Sequence, residues 1–251
     1  MLPISAIVLT HQEIDNIERC LVPLLALAAE VLVIDGHSTD GTAERAAALG
    51  ATVLPKDWEG YAATKNWAHA QARHDWILSI DADEVVSPEL AASLRHAPLT
   101  PDRAYALDRL TNYCGTWVRH SGWYPDWKVR LFDRRRARWT GDYVHERLSF
   151  DPDVRTERLT GKLYHYSYKT RADHRARIER YTTLAAEELH AMGKTVPWWK
   201  PRLGPPARFL RTYFLKQGWR DGATGLHLSR ENARLVRLKY AKLRALRKGA
   251  V

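Results

Sequence analysis

Four short aliphatic runs, ISAIVL (4–9), VLVID (31–35), ATVLP (51–55) and WILSID (76–81), are separated by stretches of helical periodicity. Strands that recur at this spacing with a helix between each pair close as right-handed crossovers, so the first hundred residues are predicted to form a parallel sheet with helices on its faces. The first intervening segment, IERCLVPLLALAAE (17–30), places Ile17, Cys20, Leu21, Leu24, Leu25 and Ala28 on one face, with Asp15 or Asn16 positioned to cap it. TAERAAALG reads as a short helix closed by Gly50, and YAATKNWAHAQAR (61–73) as another. Ligands of open sheets of this kind bind beyond the carboxyl ends of the strands. Thr10, Asp35 and Asp81 stand at those ends.

From about residue 103 the pattern changes to strands of a mixed sheet, AYALDRLTNYCG, WKVRLFDR, ARWTG and KLYHYSY, with loops rich in Trp, Tyr and charge. After Thr170 the chain turns helical: ADHRARIERYTTLAAEELHAMG, a proline-broken link WWKPRLGPPARF, then RFLRTYFLKQGW and SRENARLVRLKYAKLRALRK. The expected division is one α/β domain over 1–170 and a basic helical extension over 171–251.

Charge is distributed as unevenly as structure. Residues 1–100 carry 6 Lys+Arg against 14 Asp+Glu, whereas residues 101–251 carry 33 against 15. An acidic front suits a metal, and a basic back suits an anionic partner. The two cysteines, Cys20 and Cys114, lack the spacing of a zinc or redox motif, so no disulfide is expected. MLPISAIVLT lacks the features of a secretory signal, and CLVPLLALAAEVLVI is interrupted by Pro23 and Glu30 short of the roughly 20 residues a span requires. A cytoplasmic location follows as the expectation.

The fourth strand ends in three acids within four positions, Asp81, Asp83 and Glu84. Carboxylates this close repel unless a cation lies between them. An Asp-x-Asp after a strand can hold Mg²⁺ or Mn²⁺ on a diphosphate, because hard cations take oxygen ligands and leave positions for phosphate oxygens. A chance match or a helix N-cap near Ser87-Pro88 is the bland alternative. Neither G-x-G-x-x-G after the first strand nor G-x-x-x-x-G-K-[ST] anywhere is present, so a nucleotide would be held by carboxylates and metal.

THQE (10–13), VLVIDGHSTDGT (31–42), GYAATKNWA (60–68) and WILSIDADE (76–84) occur in that order and spacing. Here the chain resembles the inverting family 2 glycosyltransferases, and within them the lipopolysaccharide core glucosyltransferases that act on inner-core heptose. The resemblance implies an α/β fold of GT-A type, a Rossmann-like mixed sheet flanked by helices, whose residues 1–100 take the nucleotide sugar and 101–170 the acceptor. It implies donor-binding roles for Thr10, Glu13, Asp35, Lys65, Asp81, Asp83 and Arg130. Asp35 would accept the uracil N3–H, Asp40 fix the loop around it, Asp81 hold the ribose or a metal-bound water, and Asp83 ligate the metal. Lys65 would lie near the diphosphate or brace Asp81; a solvated helix lysine is the alternative. Glu84 would orient acceptor or surrounding groups. Two departures stand out: THQE where T-x-N-E is common, and Gly36 after Asp35 where a second acid is usual.

Inversion by direct displacement needs a general base near the attacking hydroxyl. RLFDRRRARWTGDYVHERL (130–148) resembles the subgroup with an aromatic-Gly stretch followed by Val-His-Glu. That match implies Glu146 as base, with Asp142 second and His145 orienting the base or touching phosphate. His165 in LYHYSY would be a metal ligand or a packed strand histidine. Of the arginines 130 and 134–136, only Arg130 is given a site role.

The implied partners are a UDP-sugar, UDP-glucose by resemblance, a lipid-linked oligosaccharide acceptor, and an anionic inner-membrane surface met by the basic aromatic tail; the same helices could instead simply pack. Two other readings stay open. A basic half with interleaved aromatics also suits nucleic acid, though no recognisable motif for it is present and no specific nucleic acid is expected. A sugar-nucleotide-binding protein or nucleotidyltransferase of the same fold is the third.

Overall fold

The computed structural model describes residues 1–141 and 147–247. In chain order the elements are β1 (Leu2–Thr10), α1 (Ile14–Leu25), β2 (Ala28–Asp35), α2 (Thr42–Ala48), β3 (Thr52–Pro55), α3 (Tyr61–Gln71), β4 (Trp76–Asp81), β5 (Glu84–Val86), α4 (Pro88–His96), β6 (Arg103–Tyr113), β7 (Thr116–Trp117), β8 (Trp127–Asp133), β9 (Ala137–Thr140), β10 (Arg147–Phe150), β11 (Arg155–Tyr168), α5 (Arg171–Ala191), α6 (Lys200–Leu210) and α7 (Gly222–Arg247). Contacts divide the chain into two compact units, Met1–Arg109 with Asp126–Tyr166, and Leu110–Pro125 with Ser167–Val251. The division therefore passes through β6 and β11.

In the first unit β1 pairs parallel with β2 and β4, and β2 with β3, as the crossover pattern predicts. The main sheet runs β3-β2-β1-β4-β8-β6-β11-β5, with β8 antiparallel to β4 and to β6, while β9 and β10 form a separate hairpin. The expected mixed sheet flanked by helices is what forms. Its core lies where the apolar runs meet α1 and α4: Ile4, Val8, Ile17, Leu21, Leu78 and Leu90 are all buried.

One boundary differs from expectation. Helical periodicity runs on through residues 28–30, but α1 stops at Leu25 and AAE begins β2. Glu30 is buried there because its carboxylate accepts from Ser5 Oγ at 2.5 Å, Arg73 N at 2.7 Å and Arg73 Nε at 2.8 Å, and burying a charge requires such partners.

β11 reaches α4 at Gly161, where φ is +93° and an added Cβ would lie 2.2 Å from Leu90 N. Ser87 secures the same junction: its Oγ accepts from Leu90 N at the start of α4 and from Lys162 N in β11.

In the second unit, Thr170 and Asp173 start α5 with a reciprocal capping box. Tyr113 is 2% exposed, and its hydroxyl pairs with His174 Nδ1 at 3.0 Å and His227 Nε2 at 3.1 Å. The link expected to be broken by prolines is helical instead. Pro201 lies in the first turn of α6, where a missing N–H costs nothing, and packing along α7 carries the helix past Pro205 and Pro206. A π-helical turn at Arg211–Leu215 follows.

Gly161→Ala should destabilise the protein by roughly 3 kcal/mol, since the side chain meets backbone and the conformation is left-handed; a lowered urea midpoint would show it. Burial holds the imidazole of His69 down to about 3 and that of His174 down to about 4, from 6.5, with Lys65 and Arg134 adding to the effect at His69. Their stabilisation is therefore complete above pH 6.5 and is lost as pH falls, because the unfolded chain takes up protons that the folded one resists. Each histidine should cost about 2 kcal/mol at pH 5 relative to pH 7.5, and His69→Leu should flatten that part of a stability–pH profile.

Candidate functional site

The first unit brings its strand ends together by register. Thr10 is the partner of Asp35, and Leu9 is the partner of Asp81, so the carboxyl ends of β2, β1 and β4 lie side by side. The loops that follow are laced: Gln12 N donates to Ser38 Oγ, Gln12 Nε2 to Thr39 Oγ1, and Glu13 N to Thr42 Oγ1. Asp40 fixes this loop as expected, accepting from Ile14 N, Thr42 N and Thr42 Oγ1. Asp35 is buried and accepts from Ser38 N at 2.8 Å and Ser38 Oγ at 2.6 Å. Beside it the Thr10 hydroxyl, in a residue 7% exposed, has no hydrogen-bond partner among the described residues. Glu13 precedes α1, and its carboxylate accepts from Asn16 Nδ2 at 2.6 Å.

The acid triplet separates into two sets. Arg130 from β8, 5% exposed, gives Nη2 to Asp81 Oδ2 at 2.6 Å and to Glu84 Oε1 at 2.5 Å. Arg109 from β6 reaches Glu84 Oε1 at 3.2 Å and Asp126 Oδ2 at 2.7 Å. Glu84 is fully buried, and its other oxygen accepts from Asp81 N at 3.1 Å. The cation between Asp81 and Glu84 is thus a guanidinium, not the metal that the bare sequence invites. A guanidinium spans two carboxylates with donors fixed in one plane.

Asp83 lies elsewhere. The turn between β4 and β5 carries it to β11, where Tyr166 N donates to its backbone oxygen and its Oδ2 lies 3.2 Å from His165 Nε2. The pairing of His165 with Glu84 across β11 and β5 sets that approach.

Lys65 is buried, contrary to the solvated alternative, with Nζ 4.2 Å from the Trp139 ring centroid. Its neighbour Asn66 holds the same Trp139 backbone both ways, donating from Nδ2 at 2.8 Å and accepting at Oδ1 at 3.0 Å. Burial by itself would raise the Asp81 pKa, but Arg130 first, then Lys65 and Arg109, hold the carboxyl well below its ordinary range. Asp81 is therefore ionised throughout the neutral range.

Structure brings together Thr10 with Asp35, Arg130 and Lys65 with Asp81, and Asp83 with His165. The candidate bases Asp142 and Glu146, with His145, lie outside the described residues. Sequence reading passed over Arg109, Asp126 and Trp139. The available signal was a charged residue interrupting the apolar run of β6 at Arg109.

No group of three or more His, Cys, Asp or Glu among the described residues could enclose a metal ion. Asp83 and His165 nonetheless offer an oxygen and a nitrogen donor that would fit a divalent cation, since such ions bound with nucleotides often take only one or two protein ligands.

The model of glycosyl transferase family 2 matches residues 5–150, the part of the chain that holds the laced loop and the acid turn after β4. The chain belongs to that family. Proteins named as glycosyltransferases align over nearly its whole length. An uncharacterized glycosyltransferase of Rickettsia bellii (strain RML369-C) is 31% identical over 264 residues, covering 97% of this chain and 86% of its own. The lipopolysaccharide core biosynthesis glycosyltransferase LpsC of Rhizobium meliloti (strain 1021) is 29% identical over 256 residues, covering 96% and 92%. Among solved structures, glucosyl-3-phosphoglycerate synthase from Mycobacterium tuberculosis with Mn²⁺, UDP and glucosyl-3-phosphoglycerate has a TM-score of 0.35 and 22% identity over 43% of this chain and 44% of that one.

Arg130→Met should cost about 4 kcal/mol, because it strands two carboxylates, one of them fully buried. Pairing it with Glu84→Met should recover at least half of that loss in urea unfolding, as removal of both partners avoids the uncompensated charge.

Proposed function

We propose that the chain is an inverting, metal-dependent hexosyltransferase that moves glucose from UDP-glucose to a lipid-linked glycan, the heptose of a lipopolysaccharide inner core. The observation that carries this reading is the split triplet. Guanidinium groups engage Asp81 and Glu84, while Asp83 is turned to His165, both side chains partly open at 20% and 13%. The name borne by the Rhizobium relative supports the acceptor class.

In this reading Asp83 and His165 would hold a divalent ion, which when bound would supply positive charge for the departing diphosphate. The chain's own groups do the rest. Asp35 keeps acceptor capacity for the base N–H beyond its two bonds to Ser38, since a carboxylate offers about four lone-pair positions. Thr10 offers an unused hydroxyl at the adjacent strand end. Asp81, held ionised, accepts from a ribose hydroxyl or a metal-bound water. Arg130 and Lys65 stand behind Asp81 and fix its charge and direction. Glu13 steadies the first loop. Glu146, with Asp142 second, removes the proton of the acceptor hydroxyl, as the Val-His-Glu resemblance implies. A lipid-linked acceptor places the reaction at an anionic membrane surface; no helix among the described residues is long and apolar enough to cross a membrane.

The test is transfer to heptose-terminated lipopolysaccharide from a panel of nucleotide sugars. UDP should appear only when acceptor is added, stop with EDTA, return with Mn²⁺, and leave a β-linked hexose by proton NMR. Asp83→Asn should lower kcat/KM roughly a hundredfold and weaken the response to Mn²⁺, whereas release of hexose 1-phosphate in place of UDP would mean transfer of the uridylyl group, the chemistry of a nucleotidyltransferase.

A further inference from the structure

Within the second unit, the segment from Trp198 to Trp219 exposes an unusual set of side chains. Trp198 is 73% exposed, Leu203 59%, Leu210 53%, Phe214 55% and Leu215 78%. Trp199, Leu203, Pro206, Leu210 and Phe214 recur every three or four residues and so share one side of α6 and the turn after it. The opposite side is used for packing: a Cβ on Gly204 would lie 3.2 Å from Val236 Cγ1, and Thr212 is buried. The apolar stripe is therefore outside the internal packing of its unit.

The charges around it have one sign. From Lys194 to Arg220 the chain holds Lys194, Lys200, Arg202, Arg208, Arg211, Lys216 and Arg220, and no Asp or Glu. In α7, by contrast, basic residues meet acidic partners: Arg234 and Lys242 both pair with Glu179 of α5. Between α6 and α7 lies a cleft of about 500 Å³, with Pro205, Phe209 and Leu210 along one side and Arg230, Arg234 and Arg237 along the other.

We infer that α6 and the turn after it form a docking element for an anionic bilayer: the stripe enters the interface, and the flanking lysines and arginines meet lipid phosphates. Trp and Phe sit favourably at the boundary of headgroups and acyl chains, and basic residues beside an anionic leaflet add to the attraction. A second copy of this chain is a poorer occupant, since two such surfaces would oppose like charge. Nucleic acid is poorer too, since Leu203, Leu210 and Leu215 gain nothing from it. The inference rests on the proposed function only for the purpose of docking, not for the docking itself.

Flotation of the full-length protein with phosphatidylcholine vesicles, with and without phosphatidylglycerol, tests it. Binding should require phosphatidylglycerol and weaken with salt. Leu203→Gln combined with Leu210→Gln and Phe214→Gln should lower it roughly tenfold or more, as should Lys200→Gln combined with Arg202→Gln and Arg211→Gln. Both variants should keep the circular dichroism spectrum of the parent and its affinity for UDP with Mn²⁺ by calorimetry. Equal binding to neutral vesicles, flotation unchanged in the apolar variant, or a dimer that this variant dissociates would overturn the inference. Flotation as expected in a protein that fails to bind UDP would sink the proposed function and leave the docking element standing.

Discussion

Arg130 is the group on which the arrangement of the first unit depends. It lies on β8, and its guanidinium joins the end of β4 through Asp81 to β5 through Glu84. Arg109 extends the chain of charges from Glu84 to Asp126. Parallel strands end at β4 and antiparallel ones begin at β8, so these charges fasten the two kinds of sheet at their junction. Buried ion pairs add little net stability, but they penalise every register that leaves one member alone. The acid triplet therefore specifies strand order before it does any chemistry.

Neutralising Asp81 and Glu84 within the protein alters what remains for a ligand. Three ionised carboxylates would draw a cation indiscriminately; two of them engaged by arginine leave Asp83 directed to β11. Asp81 keeps its charge and is partly open at 36%, so it can still accept a hydrogen bond. The intervening turn sends two carboxylates two residues apart to different strands, Asp81 to Arg130 of β8 and Asp83 to His165 of β11, and under the proposed function hydrogen bonding and cation binding would be divided between them.

The legible part of the fold was its parallel half. Continuous apolar runs ending in an acid have few other interpretations, and β4 was read to its last residue, Asp81. AAE at 28–30 was not legible, because a buried glutamate in a strand is credible only once Ser5 and Arg73 are known to surround it. The short strands β5 and β10 escaped notice for a related reason: three or four residues carry no period, and β5 takes its pairing from β11, far along the chain. At the site, residue types at strand ends were readable, whereas the countercharge was not. An arginine in a strand looks like a solvent-facing residue until the opposing carboxylates are in place.

The family model ends at residue 150, yet the geometry of the site does not. His165 lies beyond that limit and is still the side chain facing Asp83, because β11 pairs with β5 immediately after the acid turn. Similarity to the Rhizobium protein continues over 96% of the chain, through the strand that carries this histidine. The family match over residues 5–150 thus holds Asp83, while the histidine beside it lies in the part that aligns with the Rhizobium relative. Were Asp83 and His165 to hold a cation together, a substitution in β11 would change the cation's ligands without altering the Asp-x-Asp itself.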